Sequence, residues 1–303
     1  MTTGLADLHR HLDGSLRMAT LRALAQSGGL SIPDDFGFFS GMGLQAALSC
    51  FVTTLRVLQQ PEAVQRVAAE ICEDAAAEGV TTLEIRFAPQ LHGGAPLTAI
   101  VDAALAGIAG RAGLILCALY GESPDVAAAL VQAAETRPGV VGLDLAGAPA
   151  PGHKFRMRDY ADAFAGARAI GLGRTVHAGE GRPPAEIAVA IEQLHANRIG
   201  HGCTVLHNSA VVALVRERGV TLEVCATSNV HVGAIARTAD HPLPHWLDAG
   251  LLAAICTDNT LLSATSAQQE HQAVAAIAGM TPARVAQITA HGHNAAFRRR
   301  PLP

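Results

Sequence analysis

His9 and His11 stand two apart in Asp7-Leu-His-Arg-His-Leu-Asp-Gly14, at the end of a short apolar run near the N-terminus. On a β-strand, residues two apart point to the same face, so both imidazoles project together. Two neutral imidazoles held on one rigid face are two legs of a metal site, with zinc the common occupant. Arg10, between them, is expected to point away and to pair with a charge on another strand. The missing ligands must come from elsewhere in the chain, from elements that bring them to the same place.

Those elements are legible as an alternation. Short apolar runs occur at 5–12, 81–88, 113–120, 140–147, 173–179, 198–202, 221–227 and 252–258, with Ala-rich or amphipathic stretches between most of them. Strands apolar on both faces and separated by helices imply a parallel sheet. Eight in 303 residues predict an α/β fold, a (β/α)8 TIM barrel in one domain. No GxGxxG follows the first run, which argues against a dinucleotide fold. Residues 18–78 are expected to form a helical insertion after the first strand. It includes the Phe-rich piece Asp35-Phe-Gly-Phe-Phe39 and is placed above the C-terminal rim, where a lid belongs.

Barrel enzymes carry their chemistry at the C-terminal ends of the strands. Here those ends read His9 and His11, His177-Ala-Gly-Glu180, His201-Gly202 and Thr257-Asp258-Asn259. His9, His11, His177 and Asp258 would form a three-nitrogen, one-oxygen zinc site with a position left for water. Such a zinc ion brings its water towards neutral pKa. His201, on the neighbouring strand, is a suitable base for that water, and Asp258 can assist from the other side. Glu180, three residues past a ligand, can reach the pocket without binding metal. Kept protonated by burial, it would give a proton to a ring nitrogen. The residue types describe hydrolytic attack on a C=N-type centre or a carbonyl.

Composition narrows the field. Half the residues are hydrophobic and 16% are charged, enough for a large core. A net charge of −4 gives no basic footprint for nucleic acid, and Arg298-Arg299-Arg300 reads as a solvated tail. No apolar run is long enough for a bilayer and the first residues lack a secretory pattern, so a cytoplasmic location is expected. The six cysteines contain no CxxC and read as small buried hydrophobes.

With these residues assembled, the chain resembles the adenosine deaminase family of the amidohydrolase superfamily. The shared motifs are HxHLDGS, Glu84-x-Arg86-x-x-Pro89, DLAG (144–147), HAGE (177–180), RIGHG (198–202), VCATSNV (224–230) and Thr257-Asp258. The resemblance implies one zinc ion per chain on His9, His11, His177 and Asp258. It implies Glu180 as the acid for purine N1 and His201 as the residue that orients and activates the attacking water. Substrate contacts implied are Asp13 to a ribose hydroxyl and the Gly147 amide to purine N3, with His11 beside them. The family reaction is addition of hydroxide at purine C6 and loss of ammonia, so the expected partner is a small purine nucleoside.

The chain departs from the family pattern at three places. Asn259 stands where a second aspartate is usual; an asparagine amide donates to purine N7 at any pH. Ala148-Pro149-Ala150-Pro151-Gly152 replaces an acidic pair after DLAG, and Ala88 replaces a common serine. The expected substrate is adenosine or a close 6-aminopurine nucleoside. The alternatives are free adenine, an N6-modified adenine nucleoside or nucleotide, an aminodeoxyfutalosine-like nucleoside, and a catalytically silent nucleoside-binding relative. A cyclic-amide hydrolase with two metals bridged by a lysine is disfavoured, because the single lysine, Lys154, lies in the loop after the fourth strand.

Overall fold

A computed structural model describes residues 4–34, 36–149 and 152–297. Eight parallel strands form one sheet in sequential order: β1 Leu5–His11, β2 Val80–Phe87, β3 Gly113–Leu119, β4 Val140–Ala146, β5 Gly173–Ala178, β6 Arg198–His201, β7 Thr221–Val224 and β8 Leu252–Ile255. The ends of the sheet meet just past β8. There Asp258 donates its N–H to the His9 carbonyl and accepts from the His11 N–H, both at 2.7 Å. The architecture is the expected (β/α)8 barrel.

Helices lie between and around the strands. They are α1 Met18–Ser27, α2 Leu44–Val57, α3 Pro61–Ala77, α4 Leu97–Ile108, α5 Pro124–Glu135, α6 Ala161–Ala169, α7 Ala185–Glu192, α8 Ser209–Glu217, α9 Ala226–His231, α10 Leu243–Asp248, α11 Ala267–Ala275 and α12 Pro282–Ala295. Helix starts follow local chemistry: Asn208 accepts from the Ala210 and Val211 amides at α8, and Pro124 opens α5 behind its Ser123 cap. No helix among the described residues is long and apolar enough to cross a membrane.

Two sequence expectations change in detail. The segment 18–78 is not one insertion, because α3 packs on β2 and α4 as an ordinary barrel helix. Only α1, α2 and the Phe-rich connection are additional; Asp35 of that connection lies outside the described residues, as do Ala150, Pro151 and Arg298–Arg300. The expected seventh strand, 221–227, stops at Val224, and Ala226 already begins α9. The apolar run hid a strand-to-helix turn that carries Ser228 and Asn229 inward, where both are buried. The cysteines behave as expected: none of the six forms a disulfide, and all but Cys50 are buried.

The barrel interior holds ions where branched aliphatics are usual. Glu84, Arg86, Asp144, Arg198 and Glu223 are all 2% exposed or less. Arg86 bridges Asp144 (2.9 Å) and Glu223 (3.0 Å), while Arg198 pairs with Glu223 (2.6 Å) and Glu84. Below this layer the Phe297 ring sits 3.6 Å from the Arg198 guanidinium, a cation–π contact that closes the floor. Gly173 and Gly142 make room for that ring; a Cβ on Gly173 would lie 2.1 Å from it. Gly173→Ala is therefore expected to destabilise the fold by about 1–3 kcal/mol, read as a lower guanidinium midpoint. An unchanged midpoint would show that the floor can move aside.

Candidate active site

His9, His11, His177 and Asp258 converge at the C-terminal rim. The His9 and His11 Nε2 atoms are 3.2 Å apart and those of His11 and His177 are 3.3 Å apart. Asp258 Oδ1 lies 3.4 Å from His9 Nε2 and 3.5 Å from His11 Nε2. Four donors placed 2.0–2.1 Å from one tetrahedral ion sit ~3.3 Å from each other. Four of the six separations thus match a single-ion site, and three nitrogens with one carboxylate oxygen are a donor set that zinc accepts.

The backbone delivers these groups at a cost. β1 carries a register shift against β2 between Asp7 and Arg10, a bulge of the kind that re-aims side chains beside active sites. Asp258 (φ 63°) and His201 (φ 68°) adopt left-handed backbone, sparsely populated for side chains with a Cβ. Arg10 does point away, but its carboxylate partners are Asp7 on its own strand and Glu78 at the end of α3, both at 2.8 Å. The expected partner on another strand is instead an uncharged one, Thr257 just past β8.

His9, His177 and His201 each have a buried support behind the ring. His9 Nδ1 donates to Glu223 Oε2 at 2.7 Å, and His177 Nδ1 donates to Asp144 at 3.1 Å. These carboxylates fix the tautomer that turns Nε2 to the centre. The Asn229 amide donates to His201 Nδ1 at 3.0 Å, which leaves that ring's proton on Nε2. Burial keeps His201 well below the ordinary histidine pKa and therefore neutral.

Glu180 is 8% exposed, with Oε1 3.5 Å from His201 Nδ1. Its pKa is pushed up to about 8, chiefly by burial and then by the Asp258 charge, against the pull of His9 and Arg182. At neutral pH it holds a proton. Glu180, His177, His201, Asp258 and Asn259 surround a small recess of about 50 Å³ at the cluster. Asn259 Oδ1 is buried without a partner. A larger cleft of about 560 Å³ adjoins, bordered by Asp13, Ala88 and Gly147. Asp13 is also buried, with Oδ1 unpartnered, and burial raises it to about 7. His11 and Gly147 border both spaces.

All nine candidate residues thus reach one rim. Sequence reasoning assigned no role to Glu223, Asp144 or Asn229. The signal for Glu223 was a charge within the apolar strand TLEV, and buried charges occur mainly when paired. Replacing Glu223 by Gln keeps the shape of the support and removes its charge. The affinity for an added divalent ion, zinc as the probe, should fall roughly 10–100-fold in a chelator competition; unaltered affinity would remove Glu223 from the site.

Comparison with known proteins agrees with this geometry. The Adenosine deaminase family model matches residues 4–301. An adenosine deaminase of Clostridium kluyveri is 35% identical over 284 residues, 87% of this chain and 81% of that protein. A probable adenosine deaminase of Dictyostelium discoideum is 34% identical over 88% of this chain, which spans only 37% of that protein's length. Among solved structures, an adenine deaminase from Arthrobacter aurescens superposes with TM-score 0.86 at 26% identity, over 98% of this chain and 94% of that one. A zinc-bound amidohydrolase from Burkholderia ambifaria gives 0.88 at 26% identity, over 97% and 85%. On motifs, fold and donor set together, the chain belongs to the adenosine deaminase family.

Proposed function

We propose that this protein is a zinc-dependent hydrolase that removes the C6 amino group of adenosine or a closely related 6-aminopurine nucleoside as ammonia. The observation that carries this reading is Glu180, a buried carboxyl group that borders the same recess as the three-histidine, one-aspartate cluster. A pure binding module has no use for a buried acid in that position.

The donor set of His9, His11, His177 and Asp258 fits one zinc ion, which supplies Lewis acidity and brings a water towards neutral pKa. The chain's own residues do the rest. The purine ring enters the recess edge-on, and the Glu180 proton passes to N1, which draws electrons from C6 as it is attacked. His201, held at Nδ1 by Asn229, offers its Nε2 proton as a hydrogen bond that orients the attacking oxygen. Asp258 accepts from the other side. Asn259 donates to N7, the Gly147 amide donates to N3, and Asp13 binds a ribose hydroxyl. The unpartnered Asp13 oxygen favours a sugar-bearing substrate over the free base, since a buried polar atom left unpaired is costly. One proton of the attacking water passes by way of Asp258 to the amino group, the other returns to Glu180 as C6=O forms, and the C6–N bond breaks to release ammonia and leave a 6-oxopurine.

Two measurements test this. Glu180→Gln keeps the size of the side chain and removes the transferable proton. Ammonia release from adenosine should fall by about 10²–10⁴-fold while bound zinc, measured by atomic absorption, stays at one per chain. Retained activity would overturn the mechanism. The pH profile is a second check with a definite sign. Glu180 acts when protonated, so activity is present below its pKa and lost as pH rises through about 8. Above that value kcat/KM should drop by about tenfold per pH unit; a level profile to pH 10 would exclude Glu180 as the proton donor.

A further inference from the structure

Helix α9 is only six residues long, and it carries Ser228 and Asn229 inward without a side-chain cap of its own. Cys225 occupies its N-cap position, where a thiol is a weak acceptor. The first amides of a helix have no partner inside it and must find one elsewhere. That of Thr227 finds it on another helix: Glu270 of α11 accepts it at Oε2, at 3.3 Å. The Thr227 hydroxyl bonds to the same carboxyl, and α11 packs against α9.

The second oxygen reaches a different segment. Glu270 Oε1 accepts from the Thr265 hydroxyl at 3.0 Å. Thr265 closes the loop that follows β8, since its amide donates to the Thr260 carbonyl at 3.1 Å and the Ser263 amide donates to that of Asn259 at 2.9 Å. One carboxyl group thus joins two stretches of the rim. The first holds Asn229, whose side-chain amide donates to His201 Nδ1. The second begins with Asp258 and Asn259.

Glu270 differs from the carboxylates of the barrel interior. Glu84 and Glu223 both meet the Arg198 guanidinium, whereas Glu270, equally buried, has only hydroxyl and amide donors among the described residues. Burial pushes its pKa up to about 7 and the Asp7 charge adds to this, against the pull of Thr227 and Thr265. A buried carboxyl without a cation is costly, and an apolar side chain of the same volume packs at least as well. What an apolar side chain cannot do is satisfy the Thr227 amide.

We infer that Glu270 is a positioning residue for the reaction, capping α9 from outside and so fixing Asn229 and, through it, the His201 ring. This rests on the proposed role of His201 in orienting the attacking oxygen. Without the cap, α9 frays from its first turn and Asn229 withdraws from His201 Nδ1. That ring then loses the donor that keeps its proton on Nε2, and it divides between two tautomers, of which only one can donate to the attacking oxygen.

The experiment replaces Glu270 by Met, which fills the volume and removes both acceptor oxygens. Ammonia release from adenosine is measured on the zinc-loaded protein. The ring nitrogens of His201 are followed by NMR of protein labelled with 15N-histidine, as the signals missing from a His201→Gln variant. In Glu270→Met, kcat should fall about 10²-fold with KM little changed, and the single His201 tautomer should give way to a mixture. Glu270→Gln, which can accept from the Thr227 amide and donate to Thr265, should restore both. Unchanged kcat, unchanged His201 signals or a Gln variant as impaired as the Met one would overturn the inference. A merely structural role would lower the thermal midpoint and leave the ring signals as they were. Should the Met variant not fold, Glu270→Asp, one methylene too short to hold both segments, is read in the same way. If the unaltered protein releases no ammonia, the reaction assigned above fails by itself, and the His201 signals alone decide: a mixture supports the inference, and no change overturns it.

Discussion

Everything at the rim depends on one carboxylate that no solvent reaches. Glu223 accepts from His9 at 2.7 Å, Arg86 at 3.0 Å, Arg198 at 2.6 Å and Thr175 at 3.1 Å. Burial would favour its neutral form, and the two guanidinium groups more than reverse this, holding it well below the ordinary carboxylate range. A buried ion is tolerable only with such complete pairing, because desolvation costs several kcal/mol per charge. Once paired, Glu223 is rigid, and it hands that rigidity to His9 and so to the metal donors. The same layer reaches His177 through Arg86 and Asp144. Two ligands from distant strands are thereby aimed by one connected set of charges.

Above this layer the two adjoining spaces divide the work. The recess at the cluster is small, with His177, Glu180, His201 and Asp258 on one side and Phe38, Leu48 and Phe51 on the other. The cleft outside it is roomy and greasy. The boundary is shared by His11 and Gly147, and Gly147 at φ 72° brings backbone close to both spaces where a side chain would intrude. Leu48 and Phe51 of α2 also line both spaces, so a change in the outer wall reaches the recess as well.

Much of this was legible from sequence because strand-end histidines in a parallel barrel have only one place to go. His9, His11, His177 and His201 announce themselves by residue type, and the eight-fold alternation fixes the rim on which they meet. What escaped was support. Glu223 and Asp144 sit inside apolar strand runs and look like interruptions until the barrel closes and shows their partners. Asn229 was hidden differently, since VCATSNV reads as strand up to Thr227 while the chain turns into α9 at Ala226. The insertion was overdrawn for a related reason. Helical periodicity alone does not distinguish α3, which packs on β2, from α2, which overhangs the cleft.

The seam between the first and last strands has a kinetic consequence. His9 and His11 emerge early from synthesis, but their closing partner Asp258 follows about 250 residues later, a loop whose closure entropy must be met before the seam forms. The backbone pairing that shuts the barrel and the coordination that fills its mouth therefore become possible at the same late moment. Folding is of high contact order, and the unfinished sheet keeps two unpaired edges until then. A metal ion held by ligands from both edges would favour the closed state over every open one and so act as a clasp on the barrel.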